Sequence, residues 1–537
     1  MANQILFTPN DNNLGTVKNR VMVGGDNFTG DLASFNGKVF VFDIENIPDP
    51  LNPLHLPPNT IRAKFSQRYE PTRIGDSQTL VDANENIWDI YIESNDWTRL
   101  FSQCNELLEI LGANTSNVTN MDLMFRLCKN LTSVALFDTS SVTSMWGMFW
   151  DCENIVYIPE FDTSNVTNME RMFQECNVLT TIPTFNTSNV TTMEMMFYNC
   201  FEITTVPNFN AAKVTNMDEM FVNCKKLTSI SLSNTSNVTT MIGMFHQCFE
   251  LVNVSLFDTS NVTNMKSMFQ HCNKLTSIPA FNTSKVTDMD SMFWDCPSLT
   301  NVPLLNTSNV TDMENMFENC SSLKTVPLFD TSNVTSMYSM FSGCTSLETV
   351  PLFDTSNVEN MTYMFYSCTS LETVPLFNTS NVESMAKMFY HCYSFNQVPN
   401  FNTSKVKNMS GMFTTTKITS GPEFNTSNVE DMEAMFWECF DLTDVPLYDT
   451  SNVTNMEYMF CVCTSLTTIP LFNTSKVTNM NNMFERCTNV NGGALALYQQ
   501  ASTQTNPPTT YNKCFYDCGA STEIGAAELA QIPDDWK

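Results

Sequence analysis

The dipeptide Met-Phe recurs at a fixed interval of 24 residues along most of this 537-residue chain. It first occurs at 124–125 and keeps the same step as far as 412–413, after which one residue is missing from the next interval. It then returns at 435–436, 459–460 and 483–484, which makes sixteen units. A constant period of about 20 to 50 residues is the signature of a solenoid, in which short coils stack on their neighbours.

One unit, residues 272–296, reads CNKLTSIPAFNTSKVTDMDSMFWDC. "LTSI" predicts a short parallel strand that ends at the following proline, which has no backbone donor. The Asx residue before "TS" predicts a turn, and "TS" offers a hydroxyl cap for a helix. Val286, Met289, Met292 and Phe293 then have the spacing of one helical face. The sequence therefore predicts an α/β solenoid of about 16 coils, each with a short strand and a short helix.

Fifteen of the nineteen cysteines lie three residues after the phenylalanine of their unit. Stacked coils lie about 4.8 Å apart, which is within disulfide range, but pairing neighbours would make alternate coils unequal. A ladder of buried free thiols is the simpler prediction. Zinc is the alternative, yet the chain has four histidines and none has ligand spacing. We predict no metal and no cofactor. The ladder consists of Cys128, Cys152, Cys176, Cys200, Cys224, Cys248, Cys272, Cys296, Cys320, Cys344, Cys368, Cys392, Cys439, Cys463 and Cys487.

Charge and motif content limit the function. A formal net charge of −30 argues against binding to nucleic acid, which requires clustered Lys and Arg. No run of about 18 apolar residues predicts a membrane span, and the start has no basic segment followed by an apolar one. We therefore expect a protein made in the cytoplasm that reaches an outer surface by another route. No nucleophile elbow, Walker loop or metal motif is present, so no enzyme is predicted.

The residue after each Met-Phe pair varies and is often aromatic. If this column faces solvent, its rings form a strip suited to stacking on sugars or on a protein partner. The alternative is that the rings only fill space beside the predicted helix. Asp151 and Asp295 follow two of the rings and would accept hydrogen bonds from sugar hydroxyls. The candidate ligand-binding residues are Trp150, Tyr198, His246, Trp294, Tyr366, Tyr390 and Trp437.

The motifs "NTSNVTNMDLMFRLC" and "FDTSNVTNMERMFQEC" and their many siblings resemble the BspA-like leucine-rich-repeat surface proteins, in the variant first noted in mycoplasma lipoproteins. The resemblance implies a right-handed leucine-rich-repeat-like solenoid that serves adhesion or ligand binding without catalysis. The flanking segments "LPPNTIRAKFSQRYEPT" and "GGALALYQQAS" are similar to those of gut Bacteroidetes and their phages.

These observations predict a recognition protein displayed on a phage virion or an extracellular surface, with a host-surface glycan or protein as its partner. The alternatives are a purely architectural virion protein and a bacterial adhesin exported without a Sec signal. Residues 1–96 predict a β-rich N-terminal cap or docking module, which would contact other virion proteins. Residues 97–490 form the predicted solenoid, and residues 491–537 a helical C-terminal cap. The oligomeric state stays open.

Overall fold

The computed structural model describes residues 54–537 and three short strands before them. These strands are β1 (Ile5–Leu6), β2 (Arg20–Val23) and β3 (Phe40–Asp43), and they form an antiparallel sheet in the order β1-β2-β3. Strand β3 lies in the segment "KVFVFDI", within the module that the sequence predicts to be β-rich. The other expectations for residues 1–53 lie outside the described residues.

A five-stranded sheet joins the N-terminal module to the repeats. Its strands follow the order β5-β6-β4-β7-β8, and all neighbours are antiparallel except β7 and β8. Strand β7 takes the place that "LTSI" has in later units, so the sheet becomes parallel where the repeats begin. The five strands are β4 (Thr60–Phe65), β5 (Ser77–Asp82), β6 (Ile87–Tyr91), β7 (Leu107–Asn114) and β8 (Ser133–Val134).

Parallel pairing between coils occurs mainly at one position, the residue before the first methionine of each unit. Single-residue parallel bridges link Asp96 to Asn120, Asn120 to Ser144, and so on in an unbroken row to Thr510. The "LTSI" segment pairs in only some coils. The remaining strands are β9 (Phe209–Asn210), β10 (Ser229–Ile230), β11 (Leu232–Ser233) and β12 (Asn253–Val254).

The short helix predicted for every coil is wrong. In the described residues between 97 and 490, the one helical element is a 3-10 turn at Thr235–Asn237. The Met-x-x-Met-Phe-x-x-Cys segment is instead a chain of turns. Leu123 and Leu127 have positive φ angles of 55° and 62°, and an α-helix does not tolerate such angles. The repeats are therefore stacked strands and turns, not an α/β pattern.

Hydrogen bonds between coils explain these left-handed residues. Leu123 donates its N–H to the carbonyl of Trp146 in the next coil at 2.7 Å, and Phe125 donates to Met148 at 2.9 Å. The residues between them donate within the coil, as Met124 does to Met121 at 3.3 Å. Alternating donation to the next coil and to the same coil satisfies backbone groups in this buried segment.

The Asx and Thr residues of the turn have separate tasks. Asp138 accepts the N–H of Ser140 on its Oδ1 at 2.9 Å, which is the predicted Asx turn. The neighbouring Thr139 does not cap a helix, because there is none. Its buried hydroxyl donates to the carbonyl of Asp162 in the next coil at 2.8 Å.

The core is a set of straight columns. The phenylalanines of the Met-Phe pairs stack in one column from Phe125 to Phe484, and Phe101 precedes them in it. The ring centroids of Phe125 and Phe149 are 5.3 Å apart. Met289 and Met292 beside this column are fully buried. All fifteen predicted ladder cysteines are buried, and none of the nineteen cysteines in the chain forms a disulfide.

Two helices follow the last coil, as the sequence predicts: α1 (Ala494–Thr503) and α2 (Glu523–Leu529). The ring of Phe515 continues the core column at 5.9 Å from Phe484, and Trp536 lies 6.2 Å beyond it. The rings of Phe515 and Trp536 thus extend the core column beyond the last coil. Among the described residues, no helix is long and apolar enough to cross a membrane.

Candidate functional site: a ring-bearing face

The residue after each Met-Phe pair lies on one face of the stack, between two left-handed residues. Trp150 donates its N–H to the carbonyl of Gly147 at 3.0 Å, and Gly147 and Asp151 both have positive φ. We call the surface made by this column and its flanking residues the ring-bearing face. The seven predicted ring residues are all partly exposed there: Trp150, Tyr198, His246, Trp294, Tyr366, Tyr390 and Trp437.

The smaller residues between the first four rings are buried. Gln174, Val222 and Gln270 are 7%, 5% and 8% exposed. The rings therefore form the outer part of a tightly filled column. Because large rings and smaller residues alternate along the sequence, partly exposed and buried side chains alternate along this face.

Arginines from both neighbouring coils approach the ring of Trp150. The guanidinium of Arg126 lies 4.4 Å from the ring centroid, and that of Arg171 lies 5.7 Å from it. Both contacts are cation–π interactions. A sugar that stacks on the face of this indole would have to displace a guanidinium. The edge of the indole is therefore more accessible to a ligand than its face.

A second group of rings lies around Trp294. The ring centroids of His246 and His271 are 5.6 Å apart, and those of His271 and Trp294 are also 5.6 Å apart. Nδ1 of His271 lies 2.8 Å from Oδ2 of Asp295. Burial lowers the pKa of His246 to about 4, with a smaller contribution from His271.

The two carboxylates predicted beside the rings already have protein partners. Asp151 is 7% exposed and lies 3.4 Å from Nζ of Lys129, and burial raises the pKa of its carboxyl. Asp295 is more exposed but faces His271. Asp151 is therefore not a free acceptor at the surface, whereas Asp295, whose side chain is 38% exposed, meets His271 through Oδ2.

The densest group of rings, which we call the tyrosine patch, comprises Tyr338, Tyr363, Tyr366, Tyr390 and Tyr393 with Lys387 and His391. Tyr366 and Tyr390 stack at 5.1 Å with an interplanar angle of 9°. Tyr363 meets Tyr366 edge-on at 5.5 Å and Tyr338 at 5.7 Å. Tyr393 is 50% exposed.

Polar groups hold the tyrosine patch in place. Nζ of Lys387 donates to the hydroxyl of Tyr363 at 3.2 Å, which raises the pKa of the lysine. Nδ1 of His391 lies 2.8 Å from Oγ1 of Thr415 and 3.3 Å from the hydroxyl of Tyr393. Burial raises the pKa of Tyr390. The patch is thus a pre-arranged surface of phenol rings and hydroxyls.

The single column followed in the sequence contains two members of this patch, Tyr366 and Tyr390. The other rings lie in flanking columns. Tyr363 is at the first left-handed position, Tyr338 is one residue before that position in its own coil, and Tyr393 is two residues beyond the second, which His391 occupies. Aromatic residues three positions apart, as at Tyr363 and Tyr366, are the sequence signal that marks the cluster. The remaining predicted rings are more isolated: Trp437 contacts Tyr458 at 5.8 Å, and Tyr198 has no ring contact within the described residues.

No three His, Cys, Asp or Glu side chains come together as a possible metal site in the part of the chain that the structure describes. The ring-bearing face instead combines aromatic rings, hydroxyls and amides with a few charged side chains, most of which are paired within the protein. Such groups bind by stacking and hydrogen bonding.

The repeats match the family model described as "Mycoplasma protein of unknown function, DUF285". The chain belongs to this family. The overlapping matches cover most of this DUF285 protein, at residues 95–206, 153–248, 196–303, 228–327, 297–397, 348–443 and 416–521. The match agrees with the BspA-like, mycoplasma-type motifs of the repeats, and the stacked coils form a solenoid.

Solved structures similar to this DUF285 protein include three bacterial leucine-rich-repeat proteins. A cell-surface protein from Faecalibacterium prausnitzii is 21% identical, with a TM-score of 0.33, over 57% of this chain and 75% of that one. A protein from Eubacterium ventriosum is 17% identical, with a TM-score of 0.34, over 62% and 81%. A protein from T. pallidum is 20% identical, with a TM-score of 0.25, over 36% and 77%. No curated protein matches the sequence.

Proposed function

We propose that this DUF285 protein is a non-enzymatic recognition scaffold that binds a cell-surface glycan through its ring-bearing face, with the tyrosine patch at the centre of the site. The observation that carries the proposal is the convergence of five tyrosines on three consecutive coils. The stack between Tyr366 and Tyr390 and the bond from Lys387 to Tyr363 support it further.

Tyrosine suits such a surface for two reasons. Its ring supplies apolar contact area while its hydroxyl donates and accepts hydrogen bonds, and it has few rotatable bonds to order on binding. A pyranose offers the matching chemistry, with apolar C–H faces and a rim of hydroxyls. In the patch the contacts among neighbouring rings fix the phenols before a ligand arrives, which reduces the entropy lost on binding.

Display on a phage particle or a cell surface belongs to the same proposal, with residues 1–96 as the attachment module. The flanking segments that resemble those of phage and gut bacterial proteins support it. Mass spectrometry of purified particles from the source culture tests this part separately from ligand binding.

Binding to a glycan array and to intact gut bacteria tests the recognition role. Tyr393→Ala removes the most exposed ring of the patch, and Tyr366→Phe with Tyr390→Phe removes two hydroxyls while keeping the rings. Tyr157→Ala is the matched control, since Tyr157 is 57% exposed in an early coil away from the patch. We expect about a tenfold loss for Tyr393→Ala, as for a stacked ring on a planar ligand. Binding to no glycan or cell would favour the architectural alternative.

A further inference from the structure

Four leucines in consecutive coils lie on the protein surface in a single row. Leu304, Leu328, Leu352 and Leu376 are 67%, 59%, 60% and 60% exposed. We call this row the leucine stripe. Exposed apolar side chains are ordinary when they are scattered, but a contiguous row on four neighbouring coils indicates an interaction surface.

The local backbone explains why these side chains point outward. Each leucine lies between a proline and a buried apolar residue. In one unit Phe353 donates its N–H to the carbonyl of Pro351 at 3.0 Å, so Leu352 is at the apex of a tight three-residue turn. The following Phe353 enters the core and the apex side chain is left in solvent. The turn exposes whichever side chain is at its apex. It does not require that this side chain be leucine, so another property must account for the four leucines.

Acidic residues border the stripe. Asp330 and Asp354 lie two residues beyond their leucines and are exposed. Glu348 and Glu372 lie four residues before theirs, and both are also exposed. The one lysine nearby, Lys324, is paired with Glu348 at 3.1 Å. Lys324 lies four residues before Leu328, on the same border as Glu348 and Glu372. The stripe is thus an aliphatic row whose borders carry four carboxylates and one lysine, and it complements an aliphatic surface with an excess of cations.

Spacing decides the backbone form of the occupant. Stacked coils lie about 4.8 Å apart, so the four leucines span about 14 Å. An α-helix presents one apolar side chain per turn, about every 5.4 Å, and four of them span about 16 Å. An extended strand presents same-face side chains about every 6.8 Å, and four span about 20 Å. The helix fits the row and the strand does not.

We propose that the leucine stripe docks an amphipathic α-helix of a partner protein, with aliphatic residues once per turn and Lys or Arg along both borders. The helix lies parallel to the solenoid axis, and its apolar face covers the four leucines. A second copy of this chain is a poor occupant, because each copy has a formal net charge of −30. This surface is distinct from the tyrosine patch and does not depend on the proposed function.

A synthetic 14-residue helical peptide of Leu and Lys, LKKLLKKLLKKLLK, tests the proposal by fluorescence anisotropy at physiological salt. Leu328→Gln with Leu352→Gln interrupts the stripe, and we expect the dissociation constant to rise at least tenfold. Glu348→Gln with Glu372→Gln should raise it by a smaller factor and reduce its salt dependence. Leu471→Gln is the matched control, because Leu471 is a 53% exposed leucine four coils beyond the stripe. Its dissociation constant should stay within twofold of the wild type.

Several outcomes would overturn the proposal. Equal binding by the stripe variant would mean that the peptide contacts the acidic surface elsewhere, and equal binding of a scrambled Leu/Lys peptide would mean the same. If sedimentation shows self-association that the stripe variant abolishes, the occupant is a second copy. If the wild type but not the stripe variant binds phosphatidylcholine vesicles, the occupant is a lipid surface. Melting curves of all variants serve as the control for folding. Unchanged melting temperatures would mean that a difference in binding arises at the surface and not from unfolding.

Discussion

The thiol of Cys152 donates a hydrogen bond to the backbone carbonyl of Phe125, in the preceding coil, at 3.0 Å. The same carbonyl accepts the N–H of Cys128, in its own coil, at 3.0 Å. Every ladder cysteine makes the corresponding bond, for example Cys296 to Phe269 at 3.0 Å. The ladder thiols are therefore weak donors that connect coils, in addition to being small apolar groups.

Native thiol titration should find almost no reactive groups. The ladder thiols are buried, and burial raises their pKa, to about 12 for Cys439. The thiolate is the reactive form, so neither access nor ionisation favours labelling. We expect at most Cys104, the one partly exposed cysteine, to react before unfolding, and all nineteen to react in denaturant. Rapid labelling of many native thiols would contradict the buried ladder.

Substitutions at Cys296 should separate the thiol's hydrogen bond from its volume. Cys296→Ala loses the bond to Phe269 and leaves a small void, and we expect a loss of about 1 to 2 kcal/mol. Cys296→Ser keeps a donor and should lose less. Thr416 shows that this column accommodates a buried hydroxyl, although that hydroxyl donates to Phe413 of its own coil, at 2.8 Å, and not to the preceding coil. Cys296→Asp buries a charge and should lose several kcal/mol.

Hydrogen exchange measures these Cys296 variants locally. Coils contact only their neighbours, so protection should fall around residues 270–320 first. A uniform change along the whole chain would contradict this nearest-neighbour picture.

Two glycines at left-handed positions should differ in their tolerance of alanine. Gly243 has φ of 56°, and an added Cβ would meet nothing closer than 3.6 Å. Gly343 has φ of 72°, and its Cβ would clash with Oδ1 of Asn319 and lie 3.2 Å from its Cα. We expect Gly243→Ala to lose about 1 kcal/mol from the left-handed conformation alone, and Gly343→Ala to lose more. Thermal melting of both variants compares them.

The chain supplies a reference for the milder glycine substitution. Ala434 occupies the same position of its own coil as Gly243, with φ of 53°. Ala434→Gly should therefore raise the melting temperature slightly or leave it unchanged. A clear loss would mean that these positions are not strained.

Acid should destabilise the fold through His246. Its pKa is lowered to about 4 by burial beside His271, against an ordinary value near 6.5, so the unfolded chain takes up the proton more readily. The stability contributed by neutral His246 is complete above about pH 6.5 and is lost as the pH falls towards about 4. Glutamine stands at the equivalent position of the next coil, at Gln270, so His246→Gln should fold.

The measurement is the fall in melting temperature between about pH 7.5 and about pH 5.5, where the histidine but few carboxyls titrate. The wild type should lose more than His246→Gln. An equal fall in melting temperature for the two proteins would show that the pKa of His246 does not differ between the folded and the unfolded state. The groups that face it are His271 and, beyond that ring, Asp295, and both are unchanged in the variant.

The repeat and the core columns are predictable from the sequence because packing requires the same residue in every coil. The helix was wrongly predicted because apolar residues three apart also suit a chain of turns. Leu123 and Leu127 are left-handed although neither is glycine or asparagine, so local propensity gives no warning. Hydrogen bonds to the next coil impose this conformation. The sequence pattern of one repeat does not show its hydrogen bonds to the neighbouring repeat, so the conformation could not be predicted from it.

The two surfaces were predictable to different extents. The ring column is visible in the sequence, and so Tyr366 and Tyr390 were found. Tyr338, Tyr363 and Tyr393 belong to other columns, which only the stacking of coils brings together. The leucines of the stripe follow the prolines that end the predicted strands, and their exposure depends on a turn at residues such as Leu352 that places the side chain in solvent.

Alanine at Trp150 and at Trp294 should affect different properties. Trp150 lies between two guanidinium groups, at 4.4 Å and 5.7 Å, and removing the ring leaves Arg126 and Arg171 beside each other without it. We expect Trp150→Ala to lower stability by about 1 to 2 kcal/mol through these two contacts.

Trp294 has one ring neighbour, His271 at 5.6 Å, and is the more available of the two for a ligand. Trp294→Ala should weaken glycan binding by about 1 to 3 kcal/mol with little change in melting temperature. If Trp294→Ala instead lowers the melting temperature and leaves binding intact, this part of the ring-bearing face serves packing, and the site is confined to the tyrosine patch.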